Sequence, residues 1–238
     1  MANVVGVQYE RTGKSLEIDN LGMREMQKRA YSARENKYIL IKAPPASGKS
    51  RALMFLGLDK IYNQGLKKVI VSVPERTIGK SFARTELKKF GFFTDWDYDD
   101  KYNLCTPGDE GKISKFKNFL FEESSKILIC THATLRHSYN QLKADDFNNV
   151  LLAIDEFHHV SADEANILGK VLNGIMSGSS AHIVAMTVSY FRGDNIPVLM
   201  DEDEAQFKKV TYNYYEQLNG YKYLKSLGIG YHFYQGEY

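Results

Sequence analysis

Two short stretches carry the residue types that could handle a phosphorylated ligand. The first, YILIKAPPASGKS at residues 38 to 50, ends in Gly48-Lys49-Ser50. A phosphate-cradling loop needs consecutive backbone N–H donors, a lysine for the outer phosphates and a hydroxyl for magnesium. Here the N–H groups of Ala46, Ser47, Gly48, Lys49 and Ser50 can all donate, with the positive end of a following helix behind them. Pro44 and Pro45 lack an N–H, but they precede those donors and only stiffen the entry. The second stretch, VLLAIDEFHH at residues 150 to 159, sets Asp155 and Glu156 directly after an apolar run, at the carboxyl end of a strand. Hydrolysing a nucleotide requires one carboxylate to anchor the metal shell and another to polarise water, which suits Asp155 and Glu156 in that order. Both should face Lys49 from a neighbouring strand tip. Adjacent histidines on one turn rarely converge on one ion, so His158 suits a coupling role better than a ligand role. Read alone, each stretch also fits an ordinary strand-to-helix turn or an ordinary strand end; read together they point to a nucleotide site.

The elements that must position these residues are legible as a rhythm. Short apolar, β-branched runs occur at 38 to 42, 68 to 73, 126 to 130, 150 to 154 and 181 to 188, with helical patterns at 50 to 63, 77 to 90, 112 to 123 and 162 to 176. Continuous rather than alternating apolar strands mark a parallel sheet covered on both faces. The expected fold is α/β, a doubly wound, mostly parallel sheet. Residues 92 to 111 are acidic and turn-rich, which predicts a solvated loop or local insertion. Asp95, Asp97 and Asp99 do not make a calcium loop, because Asp100 and Thr106 stand where glycine and glutamate are required. A second Gly-Lys-Ser at residues 13 to 15 lies between two short strand-like runs and reads as a hairpin turn. Half of the 16 tyrosines fall in residues 212 to 238, a composition shift that suggests the chain is leaving its sheet; the expected division is a domain over 1 to 210 and an extension over 211 to 238.

The totals narrow the class. With 238 residues the chain can bury one full core, and a net charge of +2 provides no whole-molecule basic footprint, so nucleic-acid binding would have to come from a local surface. Cys105 and Cys130 have neither disulfide-framework nor zinc spacing. No stretch approaches the roughly 18 apolar residues of a membrane span. The expectation is a soluble, cytoplasmic protein with no membrane partner.

APPASGKS together with DEFH resembles the DExH branch of superfamily 2 helicases and translocases, most of all its restriction-type and DNA-repair members. The resemblance implies an N-terminal RecA-like P-loop domain that binds ATP and Mg²⁺, with Ser50 and Asp155 as the metal-holding pair. That family's loop commonly opens with alanine, so Ala43 is no departure; Pro45 and Ala46 are. By the same resemblance LGMREMQKRAY implies that Arg24 and Gln27 meet the adenine. Pro74, Arg76 and Thr77 in VIVSVPERTIGKSF, and Thr131, Thr134 and Arg136 in ILICTHATLRH, would lie along the nucleic-acid backbone. Both segments equally suit a strand followed by an N-capped helix. AMTVSYFRGD resembles the motif that links nucleotide to nucleic acid, through Thr187, Ser189 and Arg192.

The family closes two RecA-like domains over ATP, and the second brings arginine fingers. Nothing after Ser189 matches that arginine helix. The expected partners are therefore DNA, or RNA, and a second RecA-like domain or a partner subunit. Two rivals stay open: a small-molecule kinase sharing the loop, and a non-hydrolytic nucleotide switch or scaffold.

Overall fold

The structure, a computed structural model, describes residues 18–108, 110–157, 162–188 and 205–220, and the side chains of residues 162–167, 188 and 218–220 are not among those described. Six strands form one sheet: β1 (Tyr38–Ala43), β2 (Lys68–Val73), β3 (Ile127–Thr131), β4 (Val150–Ile154), β5 (His182–Val188) and β6 (Lys208–Thr211). Their order is β3-β2-β4-β5-β1-β6 and every pairing is parallel, so all six carboxyl ends share one edge.

Alternate side chains of each strand enter different cores, which is why the runs are apolar throughout. Ile39, Ile41, Val69, Val71, Ile129 and Leu151 join one core with Met26, Leu53 and Phe55. Leu40, Ile70, Leu128, Leu152 and Ile154 join the other with Phe116, Phe119, Leu135 and Leu172. The first core is thus closed by helices α1 (Glu25–Ser32) and α2 (Lys49–Tyr62), and the second by α3 (Lys112–Phe121), α4 (His132–Tyr139) and α5 (Ala162–Gly178). The doubly wound α/β expectation holds. Helix α2 is buried on almost every side, and its charged Asp59 and Lys60 are satisfied locally. Asp59 accepts from Tyr31, Asn63 and Gln64, and Lys60 donates to the Asn36 carbonyl and to Gln64. No helix among the described residues is long and apolar enough to cross a membrane.

Three expectations need correction. The helix expected at 77 to 90 is instead two short 3-10 turns, Ile78–Phe82 and Lys88–Phe90, split by an antiparallel bridge between Thr85 and Trp96. Its buried side chains Phe82 and Leu87, and Phe92 just beyond it, recur every five positions, a spacing no helix face presents, and Gly79 weakens helix further. Second, the acidic stretch from 92 is the local insertion of the two alternatives, between β2 and β3, and it is not wholly solvated: Trp96 and Leu104 are fully buried, and Trp96 Nε1 donates to the Phe82 carbonyl at 3.0 Å. Its aspartates serve turns and ion pairs, Asp95 accepting from the Lys88 N–H and Asp97 from Arg84. Third, the strand bearing Asp155 is not next to the one bearing the phosphate loop, because β5 lies between β1 and β4.

Past residue 205 the chain returns to the sheet. β6 pairs with β1 from Ile39 to Lys42, and a last described helix, α6 (Tyr214–Gly220), follows it. Residues 211–217 of the expected extension therefore pack on the same domain: Glu216 pairs with Arg29 of α1 at 2.6 Å, and Arg29 stacks over Tyr212. The tail from 221, the turn at 13 to 15, and His158, Ser189 and Arg192 lie outside the described residues.

Candidate nucleotide site

The loop from Ala43 to Ser50 turns from β1 into α2 through two left-handed residues. Gly48 has φ 91 and is the N-cap of α2; Ala46 has φ 59. The alanine strains the loop by about 1–2 kcal/mol relative to glycine, but its N–H remains. The left-handed φ at Gly48 favours glycine, and a Cβ there would lie 2.5 Å from Nε2 at the end of the Gln27 side chain. Two glutamines hold the loop from opposite ends of the sequence. Gln27 Nε2 donates to the Gly48 carbonyl at 3.3 Å, and Gln217 Nε2 of α6 donates to the Pro45 carbonyl at 2.9 Å. Both are buried. Gln27 also accepts the Arg24 N–H at 2.9 Å, which ties the start of α1 to the loop. The role of Gln217 had no signal in the sequence, where it stands in a tyrosine-rich run far from any motif.

Lys49 opens α2 and folds back over the loop, donating to the carbonyls of Ala43 at 2.9 Å and Pro44 at 3.2 Å. Its Nζ lies 3.9 Å from Glu156 Oε1. Burial pushes the ammonium pKa down, and the negative charges of Glu156 and Asp155 oppose that shift. The Ser47 hydroxyl is buried and has no hydrogen-bond partner among the described residues. Ser50 follows Lys49 in the first turn and is half-buried.

Asp155 stands immediately after β4 and is 4% exposed. Burial, then the neighbouring Glu156 charge, raises its carboxyl pKa to about 6, against the pull of the Glu156 N–H and Lys49. The Glu156 N–H donates to Asp155 Oδ1 at 3.0 Å. Glu156 itself has φ 47, a left-handed conformation that costs a non-glycine residue about 1–2 kcal/mol.

A closed set of hydrogen bonds holds the Asp155 backbone on both sides. The Asp155 N–H donates to the Ser72 carbonyl at 2.9 Å. The His132 ring meets the Asp155 carbonyl through Nε2 at 3.1 Å and the Ser72 hydroxyl through Nδ1 at 2.7 Å. A carbonyl only accepts, so Nε2 carries the proton and Nδ1 accepts from Ser72. Burial lowers the His132 pKa to about 4, which keeps the ring neutral at physiological pH. At about 0.5–1.5 kcal/mol net each, these bonds match the strain at Glu156 in size. Neither Ser72 nor His132 was singled out from the sequence. The available signal was a hydroxyl breaking the apolar run KVIVSV and a histidine directly after ILICT.

The remaining candidates line the same edge. Half-buried Pro74 and exposed Arg76 and Thr77 follow β2; Thr131 ends β3 and caps α4 by accepting the Thr134 N–H at 3.2 Å. Thr134 is buried and Arg136 half-buried. Because β3, β2 and β4 are neighbours, these segments sit beside Asp155. Thr187, 7% exposed, lies near the end of β5, the strand between the two halves of the site.

Comparison with known proteins agrees with this geometry. A family model described as DEAD/DEAH box helicase matches residues 24–191. YeeB of Bacillus subtilis (strain 168), which bears the name of an ATP-dependent helicase, is 59% identical over all 238 residues. The chain spans 40% of that relative's length. Among solved structures, the helicase domain of Hef from Pyrococcus furiosus superposes with TM-score 0.57 at 13% identity, covering 87% of this chain and 41% of that one. The SWI2/SNF2 ATPase core of Sulfolobus solfataricus, solved in complex with dsDNA, superposes with TM-score 0.51 at 15% identity, covering 90% and 40%. The sheet is thus of the RecA-like helicase kind.

Proposed function

Since the chain belongs to the DEAD/DEAH box helicase family, we propose that it is the first RecA-like domain of a DExH-type motor, cytoplasmic, that hydrolyses ATP to move along nucleic acid, DNA by preference. The observation that carries this reading is the 3.9 Å approach of Lys49 Nζ to Glu156 Oε1, which joins the loop after β1 to the acidic end of β4 across β5.

The residues present fit a nucleotide with magnesium. The loop's N–H groups and the unpartnered, buried Ser47 hydroxyl suit phosphate oxygens, and Lys49 exchanges its carbonyl partners for the outer phosphates. Ser50 and Asp155 would hold the metal through oxygen, the donor type Mg²⁺ prefers. Bound there, Mg²⁺ would neutralise charge developing on the transferred phosphoryl group. Glu156, held in place by the backbone that precedes it, orients the attacking water and takes its proton. Arg24 and Gln27 flank the loop on the side assigned to adenine. Pro74, Arg76, Thr77, Thr131, Thr134 and Arg136 track the nucleic-acid backbone without reading sequence, while His158, Thr187, Ser189 and Arg192 couple the two sites. The DNA-bound SWI2/SNF2 neighbour supports DNA as the polymer. A second RecA-like domain, on the same polypeptide or on a partner subunit, supplies the arginines that complete the site; the longer relative leaves room for one.

The test is titration with a fluorescent ATP analogue plus Mg²⁺, followed by phosphate-release assays with and without DNA. Lys49→Ala should lose binding, whereas Glu156→Gln should bind and fail to turn over. Binding by Lys49→Ala equal to wild type would reject the site. Turnover equally negligible in Glu156→Gln and wild type, in the full-length protein with DNA, would favour a nucleotide switch.

A further inference from the structure

We propose that His132 is a positioning residue that holds the peptide between Asp155 and Glu156 and transmits nucleic-acid contact to it; this rests on the ATPase reading above. The carbonyl to which His132 donates belongs to the peptide unit that also contains the Glu156 N–H. Turning that unit changes the φ of Glu156, the residue held at φ 47. His132 therefore sets where the Glu156 carboxylate points, without touching the nucleotide loop itself.

The ring of hydrogen bonds is also where both segments proposed to track nucleic acid begin. Ser72 lies in β2, two residues before Pro74, and supplies both its carbonyl to the Asp155 N–H and its hydroxyl to His132. His132 is the first residue of α4, next to the capping Thr131 and on the same helix as Thr134 and Arg136. A shift of α4 moves the donor on the Asp155 carbonyl; a shift of the chain after β2 moves the acceptor of the Asp155 N–H. The imidazole can serve this purpose because its tautomer is fixed: its two neighbours allow only a proton on Nε2. Any buried imidazole needs partners for its nitrogens; what sets His132 apart is which partner it has, the carbonyl of the peptide that leads into Glu156.

Three variants of the full-length protein separate positioning from packing. His132→Leu keeps volume and removes the donor, His132→Gln keeps a donor, and Ser72→Ala removes the hydroxyl that orients the ring. ATP affinity, from the fluorescent analogue, should stay within about twofold of wild type in all three, since none of these side chains reaches the nucleotide. DNA-stimulated kcat should fall about tenfold in His132→Leu, the equivalent of one lost hydrogen bond, and less in Ser72→Ala, with His132→Gln close to wild type. Stimulation in His132→Leu equal to wild type would overturn the proposal. So would parallel losses of kcat and thermal stability in His132→Leu and His132→Gln alike, which would mark the residue as packing only. If His132→Leu does not fold, the order of the other two still decides. A wild-type protein that binds no ATP indicts the nucleotide site itself, not His132.

Discussion

Asp155 and His132 are linked through one carbonyl, yet burial drives their titrations in opposite senses. Neutral His132, with a pKa near 4 in the fold against 6.5 in the unfolded chain, leaves the unfolded state holding more protons between those values. Its share of stability is complete above pH 6.5 and is lost as pH falls toward 4. Asp155, raised from 3.8 to about 6, makes the folded state hold the extra proton, so stability falls as pH rises from about 4 to about 6. The two slopes oppose one another in the wild type. Replacing either residue should isolate its own slope as a difference from wild type: without nucleotide and in the presence of a chelator, Asp155→Asn should gain about 1–3 kcal/mol at pH 7, an advantage that shrinks below pH 6. The deficit of His132→Gln should shrink as pH falls from 6.5 to 4. Urea unfolding at several pH values reads both, and a pH-independent Asp155→Asn difference would refute the account. A site that ionises a buried carboxylate gives up stability for a task. At this scale the sequence marked Lys49, Ser50, Asp155 and Glu156 as candidates by local spacing, and the structure brings Lys49 within 3.9 Å of Glu156. Ser72 and His132 were illegible: their partnership exists only once three strands are side by side.

At the scale of elements, the head of α2 is fixed by contacts from α1 and α6 rather than by its own capping. Gly48→Ala should destabilise by about 1–2 kcal/mol from its backbone alone, because φ 91 suits only glycine. Removing the obstructing amide in Gly48→Ala/Gln27→Ala should recover little of that, a comparison that thermal unfolding can make. Gln217→Ala frees the Pro45 carbonyl and should raise the Kd for ATP several-fold with little change in kcat, by loosening a loop that must be pre-formed. An unchanged Kd would show that α6 is a passive neighbour. The five strands expected from β-branched runs all formed, since a strand buried on both faces must be apolar along its length. The expected helix at 77 to 90 did not form, because its apolar residues answer to Trp96 across a bridge, a long-range demand that no window of local periodicity contains. β6 escaped notice for a related reason: KKVT is a short edge strand with only Val210 buried, and edge strands need little apolar content.

For the whole molecule, the proposal that a second domain supplies arginines to the site predicts weak turnover by this chain alone. An arginine finger is worth about 10³–10⁵ in kcat among nucleotide hydrolases, so the 238-residue chain should bind ATP yet release phosphate slower than the full-length protein by a factor of that order. Equal rates would mean that the site is complete without a second domain. The position of β1 has a further consequence, for biosynthesis. It is the first described strand to leave the ribosome, yet Ile39 pairs with Val184 on one flank and Lys208 on the other. At about 5–20 residues per second, both flanks arrive on the order of ten seconds later. During that interval a nascent chain displays Gly48-Lys49-Ser50 without the sheet that shapes it, so affinity for ATP should appear abruptly once β6 and Gln217 have cleared the exit tunnel.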